Sequence, residues 1–426
     1  MDHLQWMRGE LDRLAAAGQA RALTESAPAR REGWIIRNGR SMLNLASNHY
    51  LGLHHEVNEE TLSRWNDYAD RIRAESGSGA EMAATAGAVG SEAGKFGEPG
   101  GSPIRTGATA SRLIVGGDPI LGSFEREFAA YKGTEACLLF GSGFMANVGI
   151  ISALAGRNDL IFSDKYNHAS IVDGAILSRA KVFRYRNRDM NHLEQLLRKA
   201  DPAKHKLVVT DSVFSMDGSI APLRELVELK ERYGAMLMVD EAHSGGVFGL
   251  RGEGLAGELG LAQRVDVHMG TFSKAYGCYG AYAAGPALMI DYLINKARSL
   301  IYSTALPPML VYAIRDQWNI IRTEGWRRDA LLGKADWLRG ELRSAGFDTG
   351  DSECHIVPVI VGDNERSLVF GSKLQEAGIA AVPIRPPTVP EGSARIRLTP
   401  MATHRDDDLR MALDTIVSIG LELGVI

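Results

Sequence analysis

The segment GTFSKAYG sets Lys274 among small and hydroxylated residues, just past an apolar run that reads as a strand. A lysine is ordinarily a solvated surface charge, but an amine that forms an imine with a carbonyl must be partly desolvated so that its pKa falls. Thr271 and Ser273 add two hydroxyls that a phosphate nearby could accept from. In MVDEAHSGG, Asp240 closes a second apolar run and His243 follows three residues later. A strand-end acid is often only a cap or turn residue. The same carboxylate can also hold a proton on a heteroaromatic nitrogen, which lets the ring accept electrons. FGSGFMANVG follows the run ACLLF and opens a helical pattern, so its small residues expose backbone N–H groups fit to cradle a phosphate. It matches neither the P-loop nor the dinucleotide fingerprint. His168, in NHAS after the run DLIFSD, is either a capping or core imidazole or one stacked on a flat ring.

An imine-forming amine, a ring-protonating acid, a stacking imidazole and a phosphate cradle together point to pyridoxal 5′-phosphate. These groups must converge, and the pattern of elements provides for it. From Gly116 to about Ala284, the apolar runs ACLLF, DLIFSD, KVFRYR, KLVVTD, AMLMVD, DVHMGT and YGAYAAG alternate with helical patterns such as SFEREFAAYKG and LRELVELKERYG. Strands apolar on both faces and separated by helices predict a mostly parallel sheet covered on both sides. Polar residues gather where these strands end, at Ser163-Asp164, Thr210-Asp211, Asp240 to His243 and Thr271 to Lys274. In open α/β sheets, ligands bind off the carboxyl ends of strands.

Around this core, Leu4, Met7, Leu11 and Leu14 recur at helical spacing and predict a first helix packed on a larger body. SMLNLASNHYLGL reads as a short strand running into a turn. Residues 76–102 are Gly, Ala, Ser and Glu-rich and read as a long loop or insertion. After Pro307-Pro308, helical stretches precede HIVPVIVG, AAVPI and ARIRLT, the pattern of a smaller α+β domain. The expected organisation is an N-terminal helix and arm over 1–60, a large α/β domain over 61–300 and a small α+β domain over 301–426.

At 426 residues, 45% hydrophobic and 23% charged, the composition is that of an ordinary globular protein. A net charge of −4 gives no reason to expect nucleic acid or an acidic membrane surface as partner. The three cysteines match no metal-ligand spacing and suit a reducing compartment; with no apolar run of membrane-spanning length and no signal-peptide pattern, a cytoplasmic protein without a metal is expected.

Several stretches together resemble the α-oxoamine synthases, a branch of the fold-type I pyridoxal-phosphate enzymes: SNHYLGL, GTEACLLFGSGFMANVG, SDKYNHASIVDG, TDSVFSMDG, VDEAHSGGVFG, GTFSKAYG, IYSTALPP and RPPTVPEGSARIRLTP. The resemblance implies a fold-type I transferase in which Lys274 carries the cofactor as an imine, Asp240 pairs with the ring nitrogen, His243 and Ser215 face its phenolic oxygen, and His168 stacks on the ring. It implies that Gly143, Phe144 and Thr271 hold the phosphate, joined by the partner subunit's Ser303 and Thr304 in a homodimer. Asn48 and Arg397 are implied to bind the amino-acid carboxylate; on residue type alone, Arg395 and Arg397, two apart on a strand, are equally compatible with surface salt bridges. IRPPTVPEG is most similar to the branch that joins alanine to a pimeloyl thioester on coenzyme A or carrier protein, with acetyl transfer to glycine as the alternative; this sets Arg385, Thr388 and Arg21 on the acyl side. The chain departs from the family in TGATASR (Thr106 to Arg112), in SGG after His243 and in the longer insertion before Thr106.

Overall fold

The computed structural model describes residues 4–20, 23–53, 56–84 and 104–426. All seven apolar runs become strands of one sheet, in the order Ala136–Phe140, Ala281–Gly285, Val267–Thr271, Met236–Asp240, Lys206–Asp211, Leu160–Asp164, Lys181–Tyr185. Ala281–Gly285 runs antiparallel to both neighbours, and the five strands from Val267–Thr271 onward are mutually parallel. Both faces are covered, as strands with no polar face require. On one face Ile150, Ile151, Ile171 and Leu293, from helices Gly143–Leu154, Ala169–Ser178 and Ala287–Lys296, pack on Leu138, Phe140, Val209, Met238 and Met269. On the other, an aromatic cluster of Phe124, Phe128, Phe272, Tyr282 and Trp318 joins the sheet to helices Pro119–Lys132 and Pro308–Thr323. Fold-type I architecture is thus present as expected.

The domain boundaries differ from the expected ones. The chain forms two compact units, one of residues 53–213 and 221–325, the other of residues 1–52, 214–220 and 326–426. Residues 1–52 are no separate arm, because Arg40–Asn44 pairs in parallel with the two-residue strand Ile379–Ala380 of the second unit. Residues 301–325 belong to the first unit because Trp318 is part of its aromatic cluster. The second unit holds a four-stranded sheet (Ser26–Pro28, Trp34–Arg37, Arg40–Asn44, Ile379–Ala380) and an antiparallel three-stranded sheet with Ala394–Leu398 between Val357–Gly362 and Val382–Ile384. Leu43, Leu338, Val359, Phe370, Ile396 and Ile416 form its core.

Two further expectations are corrected. The first helix forms over Gln5–Ala16, yet Leu4, Trp6, Met7 and Leu11 stay 44–68% exposed. Periodicity sets which face is apolar; it does not supply a surface to cover it. The stretch read as a loop from residue 76 continues the helix Glu59–Ala84 to its end, where Ala80, Glu81, Met82, Ala83 and Ala84 are mostly strong helix formers. The remainder of that insertion lies outside the described residues. Among the described residues, no helix is long and apolar enough to cross a membrane, and no cluster of His, Cys, Asp or Glu could hold a metal ion.

His404 shows how tightly the second unit is closed. Its Nδ1 accepts from the Met401 N–H at 3.0 Å, and its Nε2 lies 3.3 Å from the Gly33 carbonyl. A Cβ at Gly33, where φ is +78°, would stand 2.3 Å from the ring. Burial lowers the His404 pKa from 6.5 to about 4. Between these values the unfolded chain binds a proton that the folded chain refuses, so stability falls as pH drops through that window. The loss is about 3 kcal/mol when complete. Guanidinium unfolding at pH 7 and pH 4.5 should show wild type losing about 2–3 kcal/mol more than His404→Gln; equal losses would mean that the histidine titrates normally.

Candidate active site

The first unit gathers its polar residues at the carboxyl ends of the parallel strands. Asp240 ends the strand Met236–Asp240 and is 4% exposed. Its Oδ2 accepts from Asn147 Nδ2 at 2.8 Å and its Oδ1 from the Ala242 N–H at 2.9 Å. Each carboxylate oxygen has capacity for a second donor, so the group can still accept from a protonated ring nitrogen. Past the end of the neighbouring strand Val267–Thr271, Lys274 sets its Nζ 2.9 Å from His243 Nε2. Amine, acid and imidazole therefore come from two adjacent strand ends.

Two of the phosphate candidates, Gly143 and Thr271, also meet. Ser142 caps the helix Gly143–Leu154 by accepting from the Met145 N–H. A Cβ on Gly143 would stand 3.3 Å from Met269 Cε and 3.5 Å from Thr271 Cβ, so the helix start lies directly against Thr271. The Thr271 hydroxyl donates to the Gly280 carbonyl at 2.9 Å and lies 2.8 Å from Ser273 Oγ. Phe144 is half exposed at this end. Ser303 and Thr304 follow the short helix Arg298–Ile301 and are at least partly open to solvent.

His168 caps a helix near this strand end. Its Nδ1 accepts from the Ser170 N–H at 3.3 Å at the start of helix Ala169–Ser178, and its own N–H donates to Asp211 Oδ2 at 2.9 Å. Burial lowers its pKa against the opposing pull of Asp240, with Lys274 adding to the lowering, which favours the neutral ring. Two residues here were given no role from sequence. Asn147 links Asp240 to Ser170, at 2.8 and 2.9 Å; its signal is its place four residues after Gly143, on the same helix face. Asp211 is buried, its N–H donates to Asn167 Oδ1, and burial followed by the charge of Asp240 raises its pKa well above the usual carboxylate range. Its signal is its position ending KLVVTD, in register with Asp240.

In the second unit, Arg397 is 7% exposed on the strand Ala394–Leu398. Its Nε donates to the Ser215 carbonyl at 2.6 Å, and one terminal nitrogen donates to Asn48 Oδ1 at 2.9 Å and to the Tyr50 hydroxyl at 3.3 Å. Tyr50, unassigned from sequence although it lies in SNHYLGL, donates to Asn48 Oδ1 at 2.9 Å; burial lifts its pKa to about 12 despite the guanidinium. Arg395 instead pairs with the Asp217 carboxylate at 2.6 Å. One arginine of the pair is neutralised, while Arg397 has no carboxylate partner among the described residues. Asn48, Ser215 and Arg397 are thus brought together. Arg385 and Thr388 share a turn in which the Thr388 N–H donates to the Arg385 carbonyl at 3.0 Å. Arg21 lies outside the described residues.

Residues 40–416 match the family described as aminotransferase class I and II. A Bacillus mycoides (strain KBAB4) protein named "Putative 8-amino-7-oxononanoate synthase" is 49% identical over 423 residues, which cover 99% of this chain and 98% of that one. Among solved structures, Sphingomonas wittichii serine palmitoyltransferase superposes with a TM-score of 0.84 at 29% identity, covering 100% of this chain and 99% of that one. The 8-amino-7-oxononanoate synthase of Francisella tularensis superposes with a TM-score of 0.68 at 26% identity, covering 90% and 99%.

Proposed function

The chain belongs to the class I and II aminotransferase family, in its α-oxoamine synthase branch, and from that premise we propose that it joins L-alanine to a pimeloyl thioester. Carbon dioxide and the carrier thiol leave, and the product is 8-amino-7-oxononanoate, a step of biotin synthesis. The full-length identity of 49% to a relative bearing that name carries this reading.

The donor set fits the family's cofactor, pyridoxal 5′-phosphate: a buried carboxylate with acceptor capacity left, an amine beside an imidazole, and a helix start closed against Thr271 by a missing side chain. When bound, this cofactor supplies an aldehyde that holds an amino group and a protonated ring that stores the electron pair of a broken bond. Asp240 keeps the proton on that ring nitrogen. Lys274 would be the cofactor's attachment point, and its Nζ, oriented by His243, would serve as the base for the substrate's α-proton. His168 would cover one face of the ring. Gly143, Phe144 and Thr271 bind the phosphate, with the partner subunit's Ser303 and Thr304 completing the site in a homodimer. The consecutive Leu113, Ile114 and Val115, 52–74% exposed, support such an assembly. Arg397, with Asn48, takes the amino-acid carboxylate; a buried guanidinium without a carboxylate partner among the described residues is the observation that supports this. Arg385, Thr388 and Arg21 serve the acyl chain, whose terminal carboxylate an arginine binds well.

One observation favours a second reading. The serine palmitoyltransferase superposes more closely and over more of the chain than the Francisella enzyme does, which supports serine and a long acyl chain. A kcat/KM panel of alanine, serine and glycine against pimeloyl, palmitoyl and acetyl thioesters separates the three. Alanine with the pimeloyl thioester is expected to exceed alanine, serine or glycine with the palmitoyl or acetyl thioester by at least about 10-fold, the worth of one charge-assisted hydrogen bond to the chain end. A higher value for serine with palmitoyl, or for glycine with acetyl, would transfer the assignment.

A further inference from the structure

Directly after Asp240 comes a second acid whose surroundings belong to the other side of the sheet. Asp240 meets the helix Gly143–Leu154, whereas Glu241 meets Lys132 at the end of the helix Pro119–Lys132. Glu241 is completely buried, and its carboxylate is approached from three elements. Lys132 Nζ donates to Oε2 at 2.6 Å, His268 Nδ1 lies 3.2 Å from the same oxygen, and the Ala256 N–H donates to Oε1 at 3.0 Å. Lys132 also donates to the Glu253 carbonyl, and His268 Nε2 lies 2.9 Å from the Ala262 carbonyl. Gly254 is packed so closely that a Cβ there, at φ +105°, would stand 2.5 Å from Oε1.

The backbone of Glu241 extends the same junction. Its N–H donates to the Met269 carbonyl at 2.7 Å, and its carbonyl accepts from the Ser244 and Gly245 N–H groups at 3.1 and 2.7 Å. The turn that presents His243 therefore hangs on Glu241, and His268 begins the stretch that runs through Thr271 to Lys274. Burial alone would raise the Glu241 pKa; Lys132 and His268 outweigh it and hold the carboxyl at about 2. Three ionisable side chains, each almost wholly buried, are a poor source of stability, because apolar residues of equal volume would do as well or better. Their geometry accounts for them instead.

We propose that Glu241 is a positioning residue for the reaction: through Lys132 and His268 it fixes the turn carrying Asp240 and His243 against the stretch carrying Lys274. The proposal rests on the assignment of Lys274, Asp240 and His243 to the cofactor. Its test compares three holoenzymes, wild type, His268→Gln and the double variant Lys132→Met/Glu241→Gln, which removes both charges so that neither is stranded. Melting temperature, the visible-band circular dichroism of bound pyridoxal 5′-phosphate, and kcat and KM are measured for each. Both variants are expected to lose visible ellipticity and to fall about 10- to 100-fold in kcat, the size typical when a group that orients a functional ligand is removed, with KM values within about twofold. If the double variant does not fold, His268→Gln alone decides. Lower melting temperature with wild-type ellipticity and kcat would overturn the proposal and leave the triad structural. A wild-type protein that takes up no cofactor would overturn the reading beneath it as well.

Discussion

Lys274→Ala is expected to fold, to lose the yellow colour of the wild-type holoenzyme, and to turn over at least about 10⁴-fold more slowly. The size follows from two losses at one atom. The amine that takes the α-proton is gone, which alone costs about 10²–10⁴-fold, and so is the covalent attachment that presents the cofactor to the substrate. The fold has little at stake, because Lys274 is only partly buried, in the stretch after the strand end. Absorption spectra and steady-state turnover check this directly. Borohydride reduction of the wild type followed by peptide mapping adds the location, and an adduct on any lysine other than Lys274 would refute the assignment.

Asp240→Asn should cost about 10²–10³-fold in kcat, the range for removing a group aimed at charge that develops during reaction. An amide cannot hold the proton on the ring nitrogen, so the ring stores electrons less well. The substitution also disturbs its own pocket. Asp240 accepts from both Asn147 and the Ala242 N–H, whereas an asparagine offers one oxygen and one NH₂, which leaves a donor facing a donor. That mismatch is worth about 1–3 kcal/mol of stability. The variant should therefore melt at lower temperature yet remain folded, and near wild-type turnover would show that the acid is structural.

The large unit was legible because every strand of its sheet is apolar on both faces except at the edges, and because the polar residues cluster where those strands end. That Lys274, Asp240, His243 and His168 lie toward the same edge of the sheet was expected from that parallel arrangement. What escaped were residues whose roles come from contacts far apart in sequence. Asn147 meets Asp240 across 93 residues, and Tyr50 meets Arg397 across 347; the local sequence around each shows its place but not its partner. The N-terminal residues were set apart as an arm for the same reason, since Arg40–Asn44 pairs with the two-residue strand Ile379–Ala380, too short to show in any periodicity. The exposed apolar stripe of Gln5–Ala16 marks the opposite limit, a clear local pattern with no local partner.

Wild-type enzyme supplied with alanine and pimeloyl-coenzyme A offers the most direct measurement of the central claim, the balance of products. The account predicts one carbon dioxide and one free thiol for each amino ketone formed, with no thiol released when alanine is omitted. Formation of pyruvate from alanine without consumption of the thioester would contradict it and make the chain a transaminase on the same fold.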